Sequence, residues 1–145
     1  MFHIKAAAVA VSVFVGLSSS PAVSQDLTAT DQILCTMKRM GDCKADGTCQ
    51  WRDVTAFQAS RKLKVDFTAR KAMTVDAKRT RPMGDIVGDA VKNGVRTFAV
   101  ARQPGDDARK HANFSIDKSG KLRMTVRSLD PKAPAMVIEA MCVKG

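Results

Sequence analysis

The chain has 145 residues, 24 Lys and Arg against 14 Asp and Glu, and a net charge of +10; its length suits one domain with its own core rather than several. The cationic surplus attracts acidic partners, yet with no Tyr and one Trp the stacking platforms of a nucleic-acid surface are missing. Two His and a single Glu leave few groups for acid–base or metal chemistry, and the thirteen Asp suit turns and caps better than long helices.

The first 24 residues read as a secretory signal peptide. Lys5 supplies a basic start, Ala6 to Leu17 form an apolar run too short for a comfortable membrane span, and Ala22 and Ser24 occupy the −3 and −1 positions of a cleavage site before Gln25. No Cys stands at the cleavage point, which argues against a lipoprotein anchor. The leader carries Lys5 and no acid, so residues 25–145, read as a single β-rich domain, stay strongly basic.

Gln25 to Asp31 is a polar lead-in expected to fray. Ile33 to Met40 predicts a first strand, its alternation blurred by Met37 and Met40. Gly41 to Cys49 is turn-rich, and Trp51 to Phe57 is a weaker strand, with a short helix capped by Asp53 as the alternative. Leu63, Val65 and Phe67 alternate with Lys62, Lys64, Asp66 and Thr68; after a turn at Ala69-Arg70, Met73 and Val75 continue an apolar face, predicting a hairpin. Lys78 to Pro82 is expected to be a basic exposed loop. Met83 to Asn93 is ambiguous: Met83, Ile86, Val87, Ala90 and Val91 fall at helical spacing, but Asn93-Gly94 is a two-residue hairpin signal and Val95 to Arg102 reads as a strand. We favour the strand because its neighbours are strands.

Gln103 to Lys110 is a loop. Ala112 to Arg127 is the clearest element of the chain. Ala112, Phe114 and Ile116 alternate with polar residues, as do Leu122, Met124 and Val126, and Lys118-Ser119-Gly120 between them makes a three-residue turn with Gly120 at the left-handed position. The expected register sets Ile116 opposite Leu122, Phe114 opposite Met124 and Ala112 opposite Val126. A closing strand follows, with Met136, Ile138, Ala140 and Cys142 alternating with Val137, Glu139, Met141 and Val143. The whole predicts an all-β fold: one antiparallel meander of about eight strands forming a small barrel or sandwich, with one short helix as an option.

The four cysteines, Cys35, Cys43, Cys49 and Cys142, most simply form two disulfides in an exported protein. Three connectivities are open; we expect Cys43 with Cys49 and Cys35 with Cys142. No C-x-x-C pair occurs and His111 is the only His beyond the leader, so no metal site is expected. The layout resembles a loose group of small exported, disulfide-containing bacterial β-meander proteins, largely uncharacterised, through Cys43, Cys49, Trp51, Val65-Asp66-Phe67, Ile116-Asp117, Gly120 and Cys142. That resemblance implies architecture and compartment and no activity.

Function is expected to follow charge. The leading reading is a periplasmic or secreted non-enzymatic module for an anionic lipid, lipopolysaccharide or envelope polymer, held by Lys78, Arg79, Arg81, Arg123 and Arg127. Alternatives are a carrier whose barrel interior, lined by Phe67, Phe98, Phe114 and Met124, holds an apolar ligand, and an enzyme inhibitor using the Gln103 to Lys110 loop. No catalytic residue and no cofactor is assigned: His111 reads as a loop-end residue, Glu139 as half of a cross-strand charge pair, and Asp106-Asp107 lack calcium-loop spacing. Trp51 is expected to pack over a disulfide or a barrel end.

Overall fold

Period-two alternation, punctuated by Asn-Gly and Lys-Ser-Gly turns, builds nine strands in the computed structural model, which describes residues 26–145. The stretch read as a secretory leader lies outside the described residues. The strands are β1 (Gln32–Cys43), β2 (Cys49–Asp53), β3 (Lys62–Asp66), β4 (Lys71–Val75), β5 (Thr80–Lys92), β6 (Val95–Ala101), β7 (Ala112–Asp117), β8 (Lys121–Val126) and β9 (Ala135–Lys144). One short helix, α1 (Ala56–Ser60), stands between β2 and β3, and two 3-10 turns cover Leu27–Ala29 and Ala108–Lys110.

Every pairing is antiparallel, and β1 meets β9 as well as β3, so eight strands close in the order β1-β3-β4-β5-β6-β7-β8-β9. The fold is a barrel rather than a sandwich. β2 is the ninth strand, paired with the last five residues of β1 beyond the part that meets β3. The lower end of the barrel carries the turns at Asn93-Gly94 and Lys118–Gly120, together with Gln32 and Gly145; the longer loops lie at the upper end.

The two clearest turns form as their chemistry dictates. Asn93 and Gly94 both take positive φ, 53° and 74°, the backbone that a two-residue hairpin needs. Gly120 sits at φ 93°, and the Asp117 carboxylate accepts from the amides of Ser119 and Lys121 and from the Ser119 hydroxyl. The β7–β8 register is the expected one, Ala112 to Val126, Phe114 to Met124 and Ile116 to Leu122. Gly120 is also a point of close approach: a β-carbon there would collide with the Cys142 carbonyl and the Leu27 side chain.

The core is the inner face of the closed sheet. Ile33, Val65, Val100 and Ile116 are at most 1 % exposed, and between them the Phe98 ring stacks on Phe114 at 4.7 Å and meets Phe67 edge-on at 5.1 Å. These rings fill the lumen at their level, and an apolar ligand there would have to displace the stack. Cys35 and Cys142 are disulfide-bonded across the β1–β9 seam, and Cys43 and Cys49 across the β1–β2 turn, the expected connectivity in both cases.

Several local expectations are corrected. The lead-in expected to fray over Gln25 to Asp31 is tied down across its described part, from Asp26: Leu27 and Thr28 are about 5 % exposed and plug the lower end, with Asp26 capping the 3-10 turn through the Thr28 amide. The stretch from Trp51 splits into the end of β2 and α1, and the helix cap is Thr55 rather than Asp53, in a capping box with Gln58. Thr80 to Pro82 belongs to β5 instead of to a loop. Pro82 fits because β6 pairs with β5 only from Asp85 onward, so its missing N–H leaves no ladder bond unmade. The loop from Gln103 holds a 3-10 turn at Ala108–Lys110, capped by Asp107.

Bulges explain the blurred alternation. Register shifts at Met37/Arg39, Ala72/Met73 and Ile86/Gly88 each insert a residue and change which parity faces inward. Met37 therefore pairs with Ala140 and Met40 with Ile138, both toward the lumen, although they are three residues apart.

Candidate anionic-ligand site

On the outer wall, two registered rows run across the strands. One passes from Trp51 through Gly41, Val137, Thr125, Asn113 and Ala99 to Gly88; the other from Arg39 through Glu139, Arg123, Ser115 and Thr97 to Ala90. Small side chains on the first row leave a hollow, which the upper loops turn into a groove of about 1000 Å³. Thr125, Asn113 and Val137 line it, with the Cys43–Cys49 staple and the loop from Ser128 to Ala133. A shallower trough of about 560 Å³ continues from it over Ala99 and Gly88 and shares Asn113, Arg123 and Thr125 with it.

Four cations line the groove: Lys44, Arg109, Arg123 and Arg127. Lys44 stands in the six-residue staple, where its amide donates to the Thr48 carbonyl at 2.9 Å and the Asp46 carboxylate takes the Thr48 amide at 2.8 Å. Arg109 is in the 3-10 turn and pairs with Asp107 at 2.8 Å; its hydrogen bonds pull the Asp107 carboxyl down to about 2. Arg123 projects from β8 opposite Glu139. That carboxylate is engaged by Arg39 at 2.6 Å, the principal cause of its lowered pKa, so Arg123 has no ion-pair partner within 4 Å among the described residues. Arg127 follows β8 directly and is likewise unpaired. The one acid in the lining, Asp130, accepts the Lys132 amide at 2.9 Å.

The expected five-residue basic set divides. Arg123 and Arg127 line the groove; Lys78, Arg79 and Arg81 lie at the β4–β5 connection, on the wall opposite β8, and are no part of it. Lys44 and Arg109 are additions: Lys44 needs barrel closure, because the β1–β2 loop reaches β8 only when β1 pairs with β9, whereas Arg109 comes from the loop leading into β7, the hairpin partner of β8. Trp51 packs on the outer wall across from Gly41 of β1. Gly41 opposite it has no side chain, a β-carbon there would stand 2.9 Å from the indole, and the Arg39 guanidinium lies 4.0 Å from the ring centroid. His111 is a loop-end residue whose Nε2 lies 2.9 Å from the Asp106 carbonyl, and Glu139 forms its cross-strand pair.

At the lower end lies a polar cluster with no sequence-level forerunner. Arg96 projects inward and its side chain is 11 % exposed. It donates to both Asp89 oxygens at 2.7 and 2.6 Å and to the Thr30 and Thr28 carbonyls at 2.9 and 3.3 Å, with its guanidinium carbon 3.4 Å from the Phe67 ring centroid. All its partners belong to the protein, so this cluster holds the fold together and offers no free charge to a ligand. The Asn-Gly hairpin makes it readable in retrospect: a two-residue turn sets Arg96 opposite Val91, and so diagonal to Asp89 on the same face.

Chemically, the groove offers guanidinium and ammonium donors over a floor of hydroxyl, amide and methyl groups. Guanidinium donors match the paired oxygens of phosphate and carboxylate. Among the described residues, no three His, Cys, Asp or Glu side chains gather in a metal-sized group, and all four cysteines are bonded in pairs. Comparison of the chain with family models, with curated proteins and with solved structures finds no match.

Proposed function

We propose that this protein is an exported, non-enzymatic binding module whose outer-wall groove takes an anionic envelope ligand through phosphate or carboxylate groups. One observation carries the reading: Lys44, Arg109, Arg123 and Arg127 converge on one groove whose single acid is turned to its own loop. The two disulfides suit an oxidising compartment, as does the leader read from the sequence, and both support a periplasmic or secreted module. The resemblance to small exported β-meander proteins agrees with that placement.

The test is calorimetric titration with lipopolysaccharide and with linear polyphosphate, in wild type, R123S/R127S and R79S/R81S. Loss of two charge-assisted contacts weakens binding by about a hundredfold in the first variant, while the second keeps its affinity. Added salt weakens wild-type binding. Equal affinity in all three proteins, with unchanged urea midpoints, would overturn the assignment.

A further inference from the structure

A second surface, away from the groove, carries its own signature. The lower outer wall holds two registered rows, Met73–Lys64–Leu34–Val143 and Val75–Lys62–Thr36–Met141–Lys121. Val143 is 61 % and Met141 39 % exposed, side by side on β9 and pointing away from the core. Leu34 is half-buried beside Val143 on β1, and Met73 lies two strands further round on β4. Adjacent large apolar side chains in open solvent are uncommon on a monomer and mark a docking face.

The charge around them is of one sign. The two rows contain Lys62, Lys64 and Lys121 and no acid. Acids on the flanking rows are already engaged. Asp66 accepts from the Gln32 side chain at 2.9 Å and from the Ala69 amide at 2.8 Å, and Glu139 is paired with Arg39. Lysines lay their alkyl stems along apolar surface and raise the ammonium beyond it, which suits a plane of acyl chains bordered by anionic head groups. Because β4 and β8 stand on opposite walls of the closed barrel, the part that meets a bilayer is the convex β1–β9 crest with Leu34, Met141 and Val143, flanked by Lys62 and Lys64 on β3 and by Lys121 on β8.

We propose that this face docks on an anionic lipid bilayer, with Val143, Met141 and Leu34 entering the head-group boundary and Lys62, Lys64 and Lys121 on lipid phosphates. The site is distinct from the Arg123/Arg127 groove and does not depend on it. The barrel closes within the described residues, so the chain from Gln25 onward is the protein to test.

The assay is co-sedimentation with vesicles of phosphatidylcholine alone and of phosphatidylcholine containing phosphatidylglycerol. Wild type partitions onto the anionic vesicles and not the neutral ones. M141S/V143S lowers the partition constant by about tenfold, and each of Lys62→Ser, Lys64→Ser and Lys121→Ser lowers it by about fivefold. R79S/R81S, at the β4–β5 connection and outside both surfaces, leaves it unchanged. These residues are on the outer wall, and urea midpoints matching wild type confirm the fold of each variant; should M141S/V143S shift its midpoint, the lysine variants decide alone. The proposal is overturned by absence of wild-type partitioning or by equal partitioning onto neutral vesicles. It is overturned too if R123S/R127S removes binding while the face variants retain it, which would put the head group in the groove. Concentration-dependent dimerisation abolished by M141S/V143S, without vesicle binding, would assign the face to a second copy of the chain instead.

Discussion

Replacing Arg96 by Met keeps the length of its side chain and removes every hydrogen bond that Arg96 makes at the lower end of the barrel. Asp89 then loses its two hydrogen bonds, the Thr28 and Thr30 carbonyls lose their donor, and the Phe67 ring loses the guanidinium over it. Removing one member of a fully buried ion pair costs about 3–5 kcal/mol. Asp89 keeps 22 % of its side-chain exposure, so water recovers part of the loss and the expected destabilisation is about 2–3 kcal/mol. With a urea slope of about 1–3 kcal/mol/M, the unfolding midpoint falls by about 1–2 M.

D89L/R96M leaves no stranded carboxylate and recovers at least half of that loss, so the two substitutions are non-additive. The pH dependence has a definite sign. Hydrogen bonds from Arg96 hold the Asp89 carboxyl below its ordinary value in the folded state. The stabilisation is therefore complete above about pH 4, the unfolded value, and fades as pH falls through the lower folded value. The penalty of R96M is full at neutral pH and shrinks below about pH 4. A midpoint shift worth less than about 0.5 kcal/mol at neutral pH, or strict additivity in the double variant, would refute the assignment of Arg96 as the lower clamp.

Other perturbations separate close approach from open space. G120A forces a positive φ on a residue with a side chain and drives its β-carbon into the Cys142 carbonyl and Leu27, so a loss of at least about 1–3 kcal/mol is expected in urea unfolding. G88A meets nothing within 4 Å at ordinary φ and should leave the midpoint unchanged or raise it by up to about 1 kcal/mol. The two disulfides differ by loop length: C35S/C142S, spanning 107 residues, is expected to cost about 5 kcal/mol and C43S/C49S, spanning 6, about 2 kcal/mol. Comparison of their urea midpoints checks that order. Equal losses would mean that the seam is held by its hydrogen bonds alone.

What could be read from the chain was local. The β7–β8 register, the Asn93-Gly94 turn and the Leu63-Val65-Phe67 face depend on neighbours a few residues apart, where period and turn chemistry act directly. Bulges broke that reading at Lys38, Met83 and Val87, because one inserted residue inverts the parity of everything after it. The lead-in looked free because its polarity says nothing of Leu27 finding the hollow beside Gly120. Arg123 and Arg127 were legible as exposed cations on a hairpin. Lys44 and Arg109 joining them was not, since Lys44 arrives only when the ring closes and Arg109 is set by the 3-10 turn in the loop before β7. Cys35 and Cys142 were the one long-range hint, and they placed β1 beside β9 correctly.

The covalent seam between β1 and β9 has a consequence for a protein exposed to proteases. The backbone from Cys35 to Cys142 and the bond joining them form one closed loop that includes every strand, leaving outside only the first three residues of β1 and the last two of β9. A single cut in an exposed connection, such as the Pro104–Asp106 tip, opens that loop without releasing a fragment, because both pieces remain bonded through the seam and paired in the sheet. Nicked protein keeps its full mass until it is reduced, and only then separates into two chains. Damage of this kind stays hidden as long as the surroundings are oxidising.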